Sequence, residues 1–304
     1  MDPLEDVLTL LEPRGHLSAR LAAGGDWALR FDAPDGIKFN AVRRGSCVLE
    51  AEGGGQPIEL APGDCYLLTR PVPFVLRSGP GVVPADAGPV FARAEAGLAR
   101  VGDGDDVLML GGGFTFAERA RRLLLDGLPP VVHVPADTRG AETVQWALAE
   151  IEAELTDRPM ASGVVAGHLA AVMLVHVLRV HLARDPAATS GWLRGLTDPV
   201  VAVALARMHA DPAHPWTVAE LAERASVSRS TLAARFTTAV GTGPLDYLTR
   251  WRIELAARRL REGSVPLATV ARAVGYGSES ALSVAFTRVV GVSPSAYRRG
   301  AGPR

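Results

Sequence analysis

Hydrophobic and polar positions change their period along the chain. Up to about residue 135 the apolar residues fall in short alternating or continuous runs: Ala28–Phe31, Ile37–Val42, Cys47–Ala51, Cys65–Leu68, Phe74–Leu76, Val90–Ala94 and Val107–Leu110. Clusters of Gly, Pro and Asp separate them, and short strands at such spacing predict a small barrel or sandwich. Gly79–Gly88 reads as a loop, and Gly111-Gly112-Gly113 as a bend or bulge that interrupts the last strand.

From residue 140 the period becomes helical. Val144, Leu148, Ile151 and Leu155 follow the spacing of one buried helix face. Pro159 separates that helix from a second, about Ser162–Ala183, which is apolar almost all round from Gly163 to Leu178. Its uncharged core is shorter than the ~20 residues of a membrane span. It therefore predicts a helix in need of a packing partner, either the barrel or a second copy of the chain. His168, His176 and His181 lack the i, i+4 spacing of a ligand pair and read as core or interface residues, with no metal expected. Asp185–Asp198, with Pro186, Ser190, Gly191 and Gly195, reads as a linker.

The remainder predicts helices only. Thr217 and Glu220 form a capping box before Val218–Ala225, and Ser226-Val227-Ser228 makes a polar turn. Ser228 caps the next helix, Arg229–Val240, which stops at Gly241. This is a helix-turn-helix arrangement. A long helix, about Pro244–Arg261, ends at Gly263, and the arrangement returns as Leu267–Val274, a turn at Gly275-Tyr276-Gly277, and Ser278–Val290 before Gly291. The repeat is visible residue by residue. Ser228-Arg229-Ser230-Thr231-Leu232-Ala233-Ala234-Arg235-Phe236 aligns with Ser278-Glu279-Ser280-Ala281-Leu282-Ser283-Val284-Ala285-Phe286, at an offset of about 50 residues. Gly241 and Pro244 match Gly291 and Pro294 at the same offset.

Two such units in register suit DNA. A major groove admits one helix, and grooves on one face of the duplex recur about every 34 Å. A linker helix of roughly 18 residues spans about 27 Å, near that spacing. Leu232, Phe236, Leu282 and Phe286 sit four apart and read as core, which leaves the polar residues of each helix start for bases and phosphates. Arg250, Arg252, Arg288, Arg298 and Arg299 are candidate phosphate contacts.

Charge sharpens this division. The 304-residue chain has 32 basic and 33 acidic residues, a net of -1 that by itself argues against a nucleic-acid binder. The mean conceals a split. From Thr197 onward 14 arginines face 8 acidic residues, while the preceding stretch is acidic overall. A basic module joined to an acidic one points the basic half toward a polyanion. Lys38 is the sole lysine, so nearly every positive charge is a guanidinium, the group that suits phosphate and guanine edges. Two cysteines exclude a disulfide scaffold and a Cys-rich zinc module. The acidic start, Met1-Asp2-Pro3-Leu4-Glu5-Asp6, lacks the positive region of a secretory signal, so a cytoplasmic location is expected.

Residues 200–300 resemble the DNA-binding domain of the AraC/XylS family of transcriptional regulators. Gly275-Tyr276-Gly277-Ser278-Glu279-Ser280-Ala281-Leu282-Ser283, continuing to Gly291-Val292-Ser293-Pro294-Ser295-Ala296-Tyr297-Arg298-Arg299, carries the resemblance. It implies two recognition helices in successive major grooves, with Arg229, Ser230, Ala233 and Ala234 at the first and Glu279, Ser280, Ser283 and Val284 at the second. Positions 234 and 284 are often arginine in that family and are Ala and Val here; Arg235 stands as a partial substitute for the first. The DNA-binding set expected is Ser228, Arg229, Ser230, Thr231, Ala233, Arg235, Ser278, Glu279, Ser280, Ser283, Arg288, Arg250 and Arg252.

Phe39-Asn40-Ala41-Val42-Arg43-Arg44-Gly45-Ser46-Cys47 and Leu60-Ala61-Pro62-Gly63-Asp64-Cys65-Tyr66-Leu67-Leu68 resemble the cupin sensor domain of a subset of AraC-type regulators. Metal-binding cupins carry His at positions that are Asn40 and Phe74 here, so no metal or other cofactor is expected. Cys47 and Cys65 are candidates for reversible oxidant sensing if they approach and one thiol is activated; otherwise they are small buried apolar residues.

The fold expected is α+β and multidomain: a cupin-like β-barrel at 1–135, a helical hairpin for dimerisation at 140–185, a linker at 186–198, and an all-α double helix-turn-helix domain at 199–304, with motifs at 217–240 and 267–290. The function expected is sequence-specific transcriptional regulation rather than catalysis. The partners expected are double-stranded promoter DNA, RNA polymerase if the protein activates, a second copy of the chain, and a small-molecule or redox effector, with no membrane. The rival is a metal-free cupin-fold binding protein or enzyme with a packed helical tail, for which the in-register repeat has no explanation.

Overall fold

A computed structural model describes residues 2–116, 125–185, 189–263 and 265–300. They divide into two units: residues 13–116 with 128–189, and residues 2–12 with 125–127 and 190–300. In chain order the first half comprises α1 (Pro3–Leu11), β1 (Arg14–Gly24), β2 (Ala28–Phe31), β3 (Ile37–Arg44), β4 (Cys47–Ala51), β5 (Ile58–Leu60), β6 (Cys65–Leu68), β7 (Phe74–Arg77) and β8 (Ala85–Asp86). Then come α2 (Ala87–Ala92), β9 (Leu98–Gly102), β10 (Val107–Thr115), β11 (Val131–Val134), α3 (Glu142–Asp157) and α4 (Ser162–Arg184).

The strands make two sheets. One runs β11-β6-β3-β10-β1-β9 and the other β5-β4-β7-β2-β8. Leu21, Val42, Tyr66, Leu68 and Met109 of the first pack with Leu29, Leu49, Leu60, Phe74 and Leu76 of the second, forming the core of this unit. The alternation that predicted strands therefore has its cause in one shared apolar face.

Two expectations for this unit change. Val90–Ala94 is not a strand: α2 occupies Ala87–Ala92, because the Asp86 carboxylate accepts the Gly88 amide and starts a helix. Nor does Gly111-Gly112-Gly113 interrupt its strand; β10 runs through it, paired to β3 at Asn40, Phe39 and Lys38. The glycines make room instead. A Cβ on Gly112 would lie 2.4 Å from the Phe39 ring and 2.6 Å from the His16 carbonyl oxygen. The register shifts sit nearby, between Leu17 and Arg20 and between Leu108 and Met109.

α3 and α4 form the expected hairpin, and α4 lies against β1. A Cβ on Gly15 would meet the Ala170 Cβ at 2.5 Å, so glycine here sets how closely helix and strand approach. Ala166, Ala170, Met173, Leu174, Val177 and Leu178 are the buried side of α4. Val164, Val165 and Val172 remain exposed on it, as do Trp146 on α3 and Met160 between the two helices.

The helical unit continues with α5 (Gly191–Thr197), α6 (Pro199–Ala210), α7 (Val218–Arg224), α8 (Arg229–Val240), α9 (Pro244–Glu262), α10 (Leu267–Ala273), α11 (Glu279–Val290) and α12 (Pro294–Arg298). The segment expected as linker thus contains a helix, α5, which packs on α6 and α8 and buries Trp192 and Leu193; residues 186–188 lie outside the described residues. α1 also belongs to this unit, where it packs on α6.

The repeat extends into the core. Phe236 meets Tyr247 edge-on with centroids 5.8 Å apart, and Phe286 meets Tyr297 in the same way at 5.4 Å. Gly241 (φ 80°) and Gly291 (φ 86°) end α8 and α11 in the left-handed conformation that favours glycine.

Candidate nucleic-acid interface

The two recognition helices start alike. The Ser228 hydroxyl accepts the Thr231 amide at 3.1 Å, and the Ser278 hydroxyl accepts the Ala281 amide at 3.1 Å. Ser228 Oγ also lies 3.0 Å from Ser230 Oγ and 2.8 Å from Thr231 Oγ1. Both serines thus hold the first turn in shape, so that its remaining amides point outward with the positive helix end. Thr217 repeats the device for α7, accepting the Glu220 amide at 3.1 Å. The Glu220 carboxylate pairs with His214 Nε2 at 2.9 Å.

Burial separates two faces on each recognition helix. Leu232 and Phe236 on α8, and Leu282 and Phe286 on α11, are fully buried. Arg229, Ser230, Thr231 and Ala234 are exposed on α8, with Ala233 half-buried. On α11 the exposed set is Glu279, Ser280, Ala281, Val284 and Arg288, with Ser283 half-buried. Val284 is 72% exposed, an isopropyl group facing solvent in the middle of a helix. The outward faces match in register.

The arginines divide by what already holds them. Arg252 donates from Nε to the Pro212 carbonyl at 2.6 Å and from Nη2 to the His214 carbonyl at 2.7 Å. Through these two bonds it braces the loop before α7. Arg235 donates from Nε and Nη2 to one carboxylate oxygen of Asp198, at 3.0 and 2.8 Å. That carboxylate also caps α6 through the Val200 and Val201 amides. Burial of Asp198 works against ionisation, but the Val201 amide, the Arg235 guanidinium and the Val200 amide prevail and hold its carboxyl below the usual range. Arg235 is therefore held at Asp198 while its side chain stays 42% exposed. Arg298 donates to the Val265 carbonyl at 2.6 Å. Arg229, Arg250 and Arg288 are exposed with no protein hydrogen bond among the described residues.

One cluster escaped the sequence reading. His209, 3% exposed, sits with Nδ1 3.2 Å from an Asp6 carboxylate oxygen and Nε2 2.7 Å from the Tyr247 hydroxyl, and stacks on Trp251 at 4.2 Å. Burial pushes its imidazole down to about 3, so the ring is neutral, with Nδ1–H donating to Asp6 and Nε2 accepting from Tyr247. The cluster ties α1 to the core beneath the first helix-turn-helix. Its members are about 40 and 200 residues apart in the chain, a separation with no local signal.

In the sheet unit Asn40 donates to the Tyr66 hydroxyl at 2.8 Å, and Phe74 stacks on Phe31 with centroids 4.5 Å apart. Cys47 lies 3.8 Å from the Met109 sulfur, and both cysteines are buried. Burial, with the Asp64 carboxylate adding to it, pushes both thiols up to about 12. That is the opposite of the activation that oxidant sensing requires.

The chain matches two family patterns: Cupin over residues 2–183 and Helix-turn-helix domain over residues 221–300. It is 69% identical over 299 residues to an AraC-like transcription regulator of Streptomyces lividans, covering 98% of each chain. A protein of the same description from Streptomyces antibioticus is 68% identical, over 98% of this chain and 99% of its own. Among solved structures, the DNA-binding domain of AdpA, a global transcriptional factor, in complex with a target DNA is 35% identical; it covers 34% of this chain and 92% of its own, with a TM-score of 0.32.

Proposed function

The chain belongs to the AraC-like transcription regulators, with a cupin N-terminal domain and a helix-turn-helix DNA-binding domain, and on that premise we propose how it reads DNA and what governs it. α8 and α11 enter successive major grooves. Ser230, Thr231, Ala233 and Ala234 face bases in the first, and Glu279, Ser280, Ser283 and Val284 in the second. Arg229, Arg250 and Arg288 neutralise phosphates. Ser228 and Ser278 act as caps that position the helices. The observation that carries this reading is the matched pair of outward faces, each capped by a serine and backed by a buried Leu and Phe at an offset of 50 residues.

The second groove is read with one apolar and one acidic group. Val284 suits a thymine methyl and Glu279 a cytosine amino group. Since relatives described as transcription regulators span the whole chain, the cupin unit is a regulatory domain and not an enzyme. It receives a small-molecule effector in the cytoplasm. Two copies associate through the exposed stripe of α4, and a dimer that activates does so by contacting RNA polymerase.

Fluorescence anisotropy of the full chain on a promoter fragment tests the reading. Affinity is expected to fall steeply with salt as condensed counterions are released. A flat salt dependence on a footprinted site would refute it.

A further inference from the structure

α9 serves each helix-turn-helix motif with a different part of its length. Near its start, Tyr247 packs on Phe236 of α8. Further along, Ile253, Ala256 and Leu260 share a core with Val270 of α10 and Phe286 of α11. One helix alone would leave the angle between the motifs to its own bending.

Arg252 sits beside the midpoint of α9. Its guanidinium donates to the Pro212 and His214 carbonyls, in the loop that leads into α7. That loop is tied at several points. The His214 amide donates to the Asp211 carboxylate at 3.1 Å, the Trp216 indole donates to the Asp211 carbonyl at 2.9 Å, and the His214 ring pairs with Glu220 of α7. The guanidinium also meets the turn of the second motif. A Cβ on Gly275 would lie 3.0 Å from Arg252 Cζ, and 2.7 and 2.9 Å from the carbonyl oxygen and Cα of Ala213. The turn between α10 and α11 thus rests on the backbone that precedes α7, with Arg252 beside both.

This approach, more than the turn itself, calls for glycine. Gly275 follows α10 with φ 84°, and Ser226 holds the matching place after α7 with φ 55°. The next amide closes both turns alike, Val227 onto the Ala222 carbonyl and Tyr276 onto that of Ala271. Ser226 is exposed, so its side chain has room, whereas a side chain at 275 would meet Ala213 and Arg252. Burial works against the Arg252 charge, while Tyr276 of the second motif and Asp211 of the loop before the first favour it.

We propose that Arg252 and Gly275 fix the angle between the two helix-turn-helix motifs, so that the chain accepts only one spacing of its two DNA elements. Arg252 is in this role a positioning residue. The proposal rests on the reading of α8 and α11 as the two groove-binding helices and adds what holds them in register. A joint ordered in advance need not be ordered on binding, so the brace favours the correctly spaced site.

Anisotropy of the full chain is compared on a footprinted promoter fragment and on the same fragment with one base pair inserted between the two protected stretches. The insertion moves the second groove by about 3.4 Å and turns it by about 34°. The unmodified chain is expected to bind the inserted fragment at least about tenfold more weakly, the cost of one or two lost base contacts. Arg252→Gln and Gly275→Ala should each bind the original fragment more weakly, and the two fragments within about threefold of each other, because a loosened joint lets both motifs engage either spacing. Their salt slopes stay equal to that of the unmodified chain. Both are assayed well below their melting midpoints, and either suffices if the other does not fold. An unmodified chain that protects two stretches and binds both fragments equally overturns the proposal without any variant. A full insertion penalty in either folded variant overturns it too, as does an Arg252→Gln salt slope lower by about 1, the mark of a lost phosphate contact. A single protected stretch in the unmodified chain is a different result, which refutes the two-groove reading itself.

Discussion

Arginine side chains of the helical unit are alike in charge and unlike in use. Arg252 and Arg235 commit two nitrogens each to the protein, at the carbonyls of Pro212 and His214 and at Asp198. Arg229 and Arg288 are exposed at the outward faces. Two different responses follow. Arg229→Ala or Arg288→Ala weakens binding on all sequences and lowers the salt slope by about 1, as the loss of one phosphate contact does, with melting unchanged. Arg252→Ala lowers the melting temperature instead, because the loop before α7 loses its brace; anisotropy at several salt concentrations and a thermal melt separate the two. Val284 is the exposed apolar side chain of α11. Val284→Ser should relax preference for thymine at one position, by the ~1–3 kcal/mol typical of one specific base contact, in a binding selection on randomised DNA.

At the scale of elements, capping and packing decide what the sequence discloses. Ser228, Ser278, Gly241 and Gly291 mark the ends of α8 and α11, and their offset of 50 residues makes both motifs legible in the sequence. α4 was legible from its apolar length. β1 was not, since Arg14–Gly24 is rich in Ala and Gly and gains its strand character from pairing with β9 and β10. The glycine run misled for a related reason: its meaning lies in Phe39, Asn40 and His16, which reach it only through the sheet. At the candidate interface the outward residues could be read from periodicity, whereas the anchoring of Arg235 and Arg252 depends on acceptors about 40 residues away. Gly112→Ala should cost about 1–3 kcal/mol by overpacking against Phe39, measured as a fall in the urea midpoint. Ser278→Ala removes one cap and should cost about 1 kcal/mol in the same assay.

Across the whole molecule, the order of the chain and the grouping of its parts differ. α1 opens the sequence but packs within the helical unit, so the sheet unit is inserted between the pieces of that unit. A fragment beginning at residue 190 therefore lacks Leu4, Val7, Leu8 and Leu11, all buried, and the Asp6 partner of His209. Deleting residues 2–12 should lower the melting temperature of the helical unit, read by its near-ultraviolet Trp251 signal. Acid acts at the same place. Folded His209 stays neutral down to about 3, whereas an unfolded histidine takes up a proton below about 6.5. Stability from this group is complete above that value and is lost as pH falls toward 3, and His209→Gln should flatten that part of a stability–pH curve.

The exposed valines of α4 bear on assembly. Val164→Glu with Val172→Glu should convert a dimer to a monomer in sedimentation velocity without altering the circular dichroism. The central claim, two helices reading two grooves, is tested most directly by hydroxyl-radical footprinting of the full chain on its promoter. Two protected stretches about one helical turn apart are expected, Arg229→Ala with Ser230→Ala erasing one and Glu279→Ala with Val284→Ser the other. A single protected stretch, or one stretch lost in both variants, would contradict it.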